Sequence, residues 1–149
     1  MAEKTINTMK IEFEARSVNE SFARTAVASF ASQWDPSIGV IADIKTVISE
    51  AVTNSIVHGY AGKEDRSLCP IYIHCSLTEK GKLTVKIKDK GIGIEDISIA
   101  MEPLYTTDTD GERSGMGFTI MQSFTDGIKV RSKVGKGTVV ILEKRLNKR

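Results

Sequence analysis

The chain has 149 residues, enough for one compact domain spanning 1–149 with its own core. Lys and Arg number 21 against 19 Asp and Glu, a net charge of +2, which argues against direct nucleic-acid binding because a phosphate-backbone footprint needs a clustered basic excess. No apolar run approaches the length of a membrane span, and residues 1–4 carry no apolar signal core. Cys69 and Cys75 stand in a C-x5-C spacing without a second pair, so they read as two reduced thiols of a cytoplasmic protein rather than a zinc site. The basic C-terminal residues Lys144, Arg145, Lys148 and Arg149 read as a solvated tail.

In chain order, Met9, Ile11, Phe13 and Ala15 alternate with Lys10, Glu12 and Glu14, the pattern of a half-buried strand. Ser17-Val18-Asn19-Glu20 has the form of a capping box, followed at helical spacing by Phe22, Ala26, Phe30 and Trp34. Asp35-Pro36 should stop that helix. A second helix is expected over about 39–58, with Ile41, Ile44, Val47, Ile48, Ala51, Val52 and Ile56 as a buried stripe, and with Gly59 and Gly62 ending it. After a polar loop at 63–67, two alternating runs, Ile71 to Leu77 and Leu83 to Asp89, flank Lys80-Gly81 as a hairpin. Residues 90–115 lack periodicity, and a loop that long in a compact domain is usually functional. A short helix near 117–124 and strands near 128–132 and 138–142 close the chain. There is no internal repeat. Helices followed by strands predict an α+β two-layer sandwich with the helices on one sheet face.

Four segments carry chemistry. Glu50 and Asn54 share one helix face, with His58 on the same line. On their own they read as an exposed polar face with an incidental Glu–Asn pair. Asp89 falls on the apolar side of its strand, where a carboxylate is costly without a partner, and Gly91 and Gly93 follow it, where glycine would let a flat ring approach the backbone. Ser114-Gly115-Met116-Gly117 precedes a helix, so its backbone N–H groups suit a phosphate. Gly135-Lys136-Gly137-Thr138 opens the last strand and by itself is a hairpin turn. Neither a Walker A loop nor a dinucleotide fingerprint is present.

Taken in sequence, these segments resemble the N, G1, G2 and G3 boxes of the GHKL ATPase superfamily, which includes histidine kinases, heat-shock-90 chaperones, gyrase and mismatch-repair ATPases. The resemblance implies the Bergerat ATP-binding fold, a mixed, mostly antiparallel sheet under helices, with residues 95–114 as an ATP lid. Within that superfamily, residues 17–24 (SVNESFAR), 44–60 (IKTVISEAVTNSIVHGY), 103–107 (PLYTT) and 113–121 (RSGMGFTIM) are similar to the anti-sigma-F factors of sporulation. This closer likeness runs from about residue 10 to 142.

Members of that family bind and silence a sigma factor and phosphorylate a serine of a STAS-type anti-anti-sigma protein. The resemblance therefore implies ATP (with ADP as product) and Mg2+ as ligands, and both proteins as partners. It implies that Asn54 holds Mg2+ and that Glu50 orients or deprotonates the attacking serine. Asp89 would receive the adenine amino group with support from Thr138, and Gly91 and Gly93 would shape the pocket. Ser114, Gly115, Met116 and Gly117 would face the phosphates, Arg113 would offset γ-phosphate charge, and Thr106 and Thr107 would lie in the lid. Arg24 and Glu20 would contact partners, although both also fit a solvated helix face. A homodimer through the sheet is implied too, for which an exposed apolar strand at 9–15 is a candidate. The alternatives are a stress-response anti-sigma kinase or another catalytic domain of the superfamily.

Overall fold

Strand β1 (Thr5–Glu14) leads into helices α1 (Val18–Ser32) and α2 (Ile38–Asn54). Strands β2 (Pro70–Thr78) and β3 (Lys82–Asp89), helix α3 (Gly117–Ser123) and strands β4 (Gly127–Lys133) and β5 (Gly137–Arg145) follow. The computed structural model describes residues 3–95 and 117–147. The strands form one sheet in the order β1-β2-β3-β5-β4. The expected two-layer α+β sandwich is present, but among the described residues the sheet is antiparallel rather than mixed, in all four pairings. The reason is connectivity. Hairpins join β2 to β3 and β4 to β5, and β5 returns into the sheet beside β3, leaving β4 at the edge.

The core lies between the sheet and the helices. Ile71, Ile73, Cys75 and Leu77 of β2 meet Leu83, Val85 and Ile87 of β3 on the covered side. Ile44, Val47, Ile48, Ala51 and Val52 of α2 close over them. Burying each of the larger aliphatic side chains contributes roughly 2 kcal/mol. The helix begins on Ser37, whose extended backbone lets its hydroxyl oxygen accept the Val40 N–H at 3.2 Å.

Helix α1 departs from its sequence reading in three ways. Its buried seam is Ala23, Val27 and Ala31, with Phe30, rather than a line through Phe22, which is 52% exposed. Small residues win because α1 packs closely against α2. Phe22 instead meets the edge of Phe13 at 6.2 Å. Ser17 makes no side-chain cap, because its backbone is already helical and its hydroxyl cannot turn back on the helix end; the Glu20 carboxylate is taken by Arg24 at 2.8 Å, so the capping box does not form. Trp34 lies beyond the helix and packs on Gly81, whose φ of +85° makes the β2–β3 turn; a Cβ there would come within 2.6 Å of the indole. Met9, Ile11 and Phe13, partly buried, pack against the core on the apolar side of β1.

Candidate nucleotide site

Glu50 and Asn54 both emerge half-buried from the last two turns of α2. Directly after Asn54 the helix changes to a π turn, Ser55–Gly59. Such turns widen a helix locally and occur often at functional sites. His58 therefore leaves the α-helical line through Glu50 and Asn54. The π turn places Ser55 and Gly59 against the end of β3, where Asp89 stands.

Asp89 is 4% exposed, and the structure supplies the partners that its burial demands. Oδ1 accepts the Gly91 N–H at 3.0 Å and the Thr138 N–H at 3.2 Å. Oδ2 accepts the Ser55 hydroxyl at 2.8 Å. The carboxylate thus ties the end of α2 to the strand ends of β3 and β5. It is not an unpartnered acceptor; three protein donors hold it in one orientation.

Backbone packs on backbone around this carboxylate. A Cβ on Gly59 would stand 2.9 Å from Asp89 Oδ2, and one on Gly137 would stand 2.2 Å from the Asp89 carbonyl. Gly93 has a φ of +79° and lies so close to the Lys133 carbonyl that a Cβ would be 2.4 Å from it. Ile92 donates its N–H to the Gly59 carbonyl and accepts the Gly135 N–H, both at 2.8 Å. The expected glycines Gly91 and Gly93 are therefore structural necessities of this junction.

The Thr138 hydroxyl meets Ser132 Oγ at 2.8 Å, and Ser132 Oγ also accepts the Ile94 N–H at 2.7 Å. Tyr60 accepts the Lys90 N–H at 2.7 Å and donates to the Pro70 carbonyl. Burial holds its phenol above the ordinary range, against the lowering effect of that N–H. The Lys90 ammonium lies over the Tyr72 ring, 5.3 Å from its centre.

The structure brings Asn54, Asp89, Gly91, Gly93 and Thr138 into one region through Ser55 and the π turn, with Glu50 one turn earlier on α2. Gly117 is the first residue of α3, which packs against α2. Thr106, Thr107, Arg113, Ser114, Gly115 and Met116 lie outside the described residues. Arg24 and Glu20 form an i,i+4 ion pair, each side chain about one-third exposed (39% and 31%), well away from this region along the chain on α1. Ser55, Gly59, Tyr60 and Ser132 are neighbours of this region that the sequence reading did not single out. For Ser55 the sequence carried a signal: a hydroxyl residue between Asn54 and the apolar Ile56, on a helix with a broad apolar stripe, needs a partner wherever it is buried. Among the described residues no group of three or more His, Cys, Asp or Glu is placed to hold a metal, and no helix is long and apolar enough to cross a membrane.

A buried carboxyl oxygen that accepts hydrogen bonds suits an adenine amino group, and the side-chain oxygen of Asn54, next in the chain to Ser55, suits a hard cation. Comparison with known proteins supports a nucleotide site. The histidine kinase-like ATPase domain matches residues 11–144. The anti-sigma F factor of Clostridium acetobutylicum is 53% identical over 139 residues, covering 93% of this chain and 94% of that one. The anti-sigma F factor of Priestia megaterium is 51% identical over 140 residues, covering 94% and 93%. The solved RsbU and RsbW domains of a Mycobacterium tuberculosis protein share the fold, with a TM-score of 0.68 at 19% identity over 97% of this chain and 34% of that one. The histidine kinase domain of a blue-light activated kinase from Erythrobacter litoralis gives 0.55 at 19% identity, over 85% of this chain and 60% of that one.

Proposed function

Because this chain belongs to the histidine kinase-like ATPase family, and within it to the anti-sigma F factors, we propose that it binds and silences a sigma-F-type sporulation sigma factor and acts as an ATP-dependent serine kinase on its STAS-domain antagonist. The observation that supports this reading is the buried Asp89 carboxylate, joined through Ser55 to the helix end that carries Asn54. An adenine anchor and a phosphate-side ligand then sit on adjoining elements.

In this reading Asp89 accepts the adenine amino group beside Thr138, Gly91 and Gly93 shape the base pocket, and Asn54 offers its side-chain oxygen to Mg2+. The cation supplies charge neutralisation across the phosphates. Asn54 would be its one protein ligand, since such ions take few protein ligands. Glu50, one helical turn before Asn54, orients or deprotonates the incoming serine hydroxyl. Phosphoryl transfer needs positioning and charge neutralisation more than covalent help from the protein, and this set provides the positioning. Gly117, with Ser114, Gly115 and Met116, faces the phosphates; Arg113 offsets their charge, and Thr106 and Thr107 belong to a lid over 95–114. Arg24 and Glu20 contact the protein partners. A homodimer forms through the sheet, for which the edge strand β1 offers an unshared backbone side.

The test is direct. The protein is incubated with radiolabelled ATP and each STAS-type candidate from the same genome, and the products are analysed for labelled phosphoserine. Label on one candidate is expected. Sigma-factor binding without label on any candidate would overturn the kinase half of the proposal.

A further inference from the structure

The Asp89 carboxylate has about four acceptor positions, two on each oxygen. Two backbone N–H groups, from Gly91 and Thr138, occupy Oδ1. On Oδ2 the Ser55 hydroxyl takes one position at 2.8 Å. Gly59 presses on the same oxygen, with room for hydrogen but not for a Cβ. One acceptor position therefore remains, and it lies on Oδ2. The Ser55 hydroxyl hydrogen is committed to a group that accepts most strongly when ionised.

We propose that Ser55 is a specificity-determining positioning residue: by donating to Asp89 Oδ2 it fixes the carboxylate's rotation and leaves one acceptor position, and so selects a 6-aminopurine nucleotide over a 6-oxopurine one. The inference rests on the adenine reading of Asp89 and deepens it. A 6-amino group supplies the N–H that the remaining position lacks. A 6-oxo group turns an oxygen lone pair toward the carboxylate and leaves both unpaired, which is how buried polar sites reject an analogue. Without the hydroxyl, one of the three donors that fix the carboxylate's rotation is gone, and the open position is no longer held toward the base.

The experiment measures the dissociation constants of ATP and inosine triphosphate for the full chain, alongside a thermal melt for each variant. Wild type should prefer ATP. Ser55→Ala should reduce that preference by about tenfold, with ATP binding weakened more than inosine triphosphate binding. Ser55→Thr, which retains the hydroxyl, should restore the preference. Ser55→Cys, close in volume and a weak donor, should lose it even if Ser55→Ala does not fold. A purely structural role for Ser55 would weaken both nucleotides equally. An unchanged ratio in folded Ser55→Ala or Ser55→Cys, with wild type discriminating, overturns the proposal and leaves the adenine reading standing. Equal binding of the two nucleotides by wild type removes the adenine reading, and the proposal with it.

Discussion

Gly91 lies so close to the carbonyl of Gly59 that a Cβ on Gly91 would stand 1.9 Å from that oxygen. The two residues belong to different elements, the β3 exit and the π turn, and their contact fixes the wall beside Asp89. Neither side of the contact is a flexible side chain, so the clash cannot be relieved locally. Gly91→Ala should destabilise the fold by about 1–3 kcal/mol and abolish ATP binding. Gly135→Ala is the control: its φ of +79° makes alanine unfavourable, but a Cβ would meet nothing within 4 Å, so nucleotide affinity should persist. Chemical denaturation with a nucleotide titration separates the two effects.

Asn54 and Glu50 should divide by function. Asn54→Ala is expected to abolish Mg-dependent ATP binding. Glu50→Ala is expected to bind Mg-ATP like wild type and to lose phosphorylation of the antagonist. Calorimetric titration and a phosphoserine assay on both variants check this, and full kinase activity in Glu50→Ala would remove Glu50 as the group that prepares the serine.

Arg24→Glu should weaken sigma-factor and antagonist binding while leaving ATP affinity intact. The lost Arg24–Glu20 pair is an i,i+4 contact about one-third exposed, so the folding stability should change by only about 0.5 kcal/mol. A pull-down with unchanged partner retention would refute the role for Arg24.

The Glu3–Arg145 contact near the N-terminus should respond to strong acid. The hydrogen bond from Arg145, with Thr78 assisting, lowers the Glu3 carboxyl from 4.5 to about 2. A carboxyl depressed in the folded state contributes stability that is present above its unfolded pKa and lost as pH falls through the folded one. The Glu3–Arg145 contact should therefore weaken between pH 4.5 and about 2. Thermal melts of wild type should decline over that window more steeply than those of Glu3→Gln.

Both cysteines are buried and unbridged, and burial pushes the Cys75 thiol up to about 12. The thiolate is the reactive form. Neither cysteine should react with an alkylating reagent at pH 8 until denaturant unfolds the chain, which mass spectrometry with and without denaturant would show.

The sequence alone determined the elements whose physics is local. Alternation along β2 and β3 and the stripe on α2 fixed which sides are buried, because side-chain direction follows the backbone period. It also marked Asp89, since a carboxylate in an apolar register demands a partner. Identifying that partner was beyond it. Ser55 and Asp89 are 34 residues apart, and their meeting depends on the π turn, on the order β1-β2-β3-β5-β4 and on glycines at 59 and 91 that let two backbones touch. Tertiary packing likewise decided the seam of α1. Phe22 and Ala23 are neighbours at nearly equal claim by helical spacing, and only the closeness of α2 makes the smaller one the core residue. Local periodicity says which way a side chain points; what it meets there is set by contacts between segments far apart in the chain.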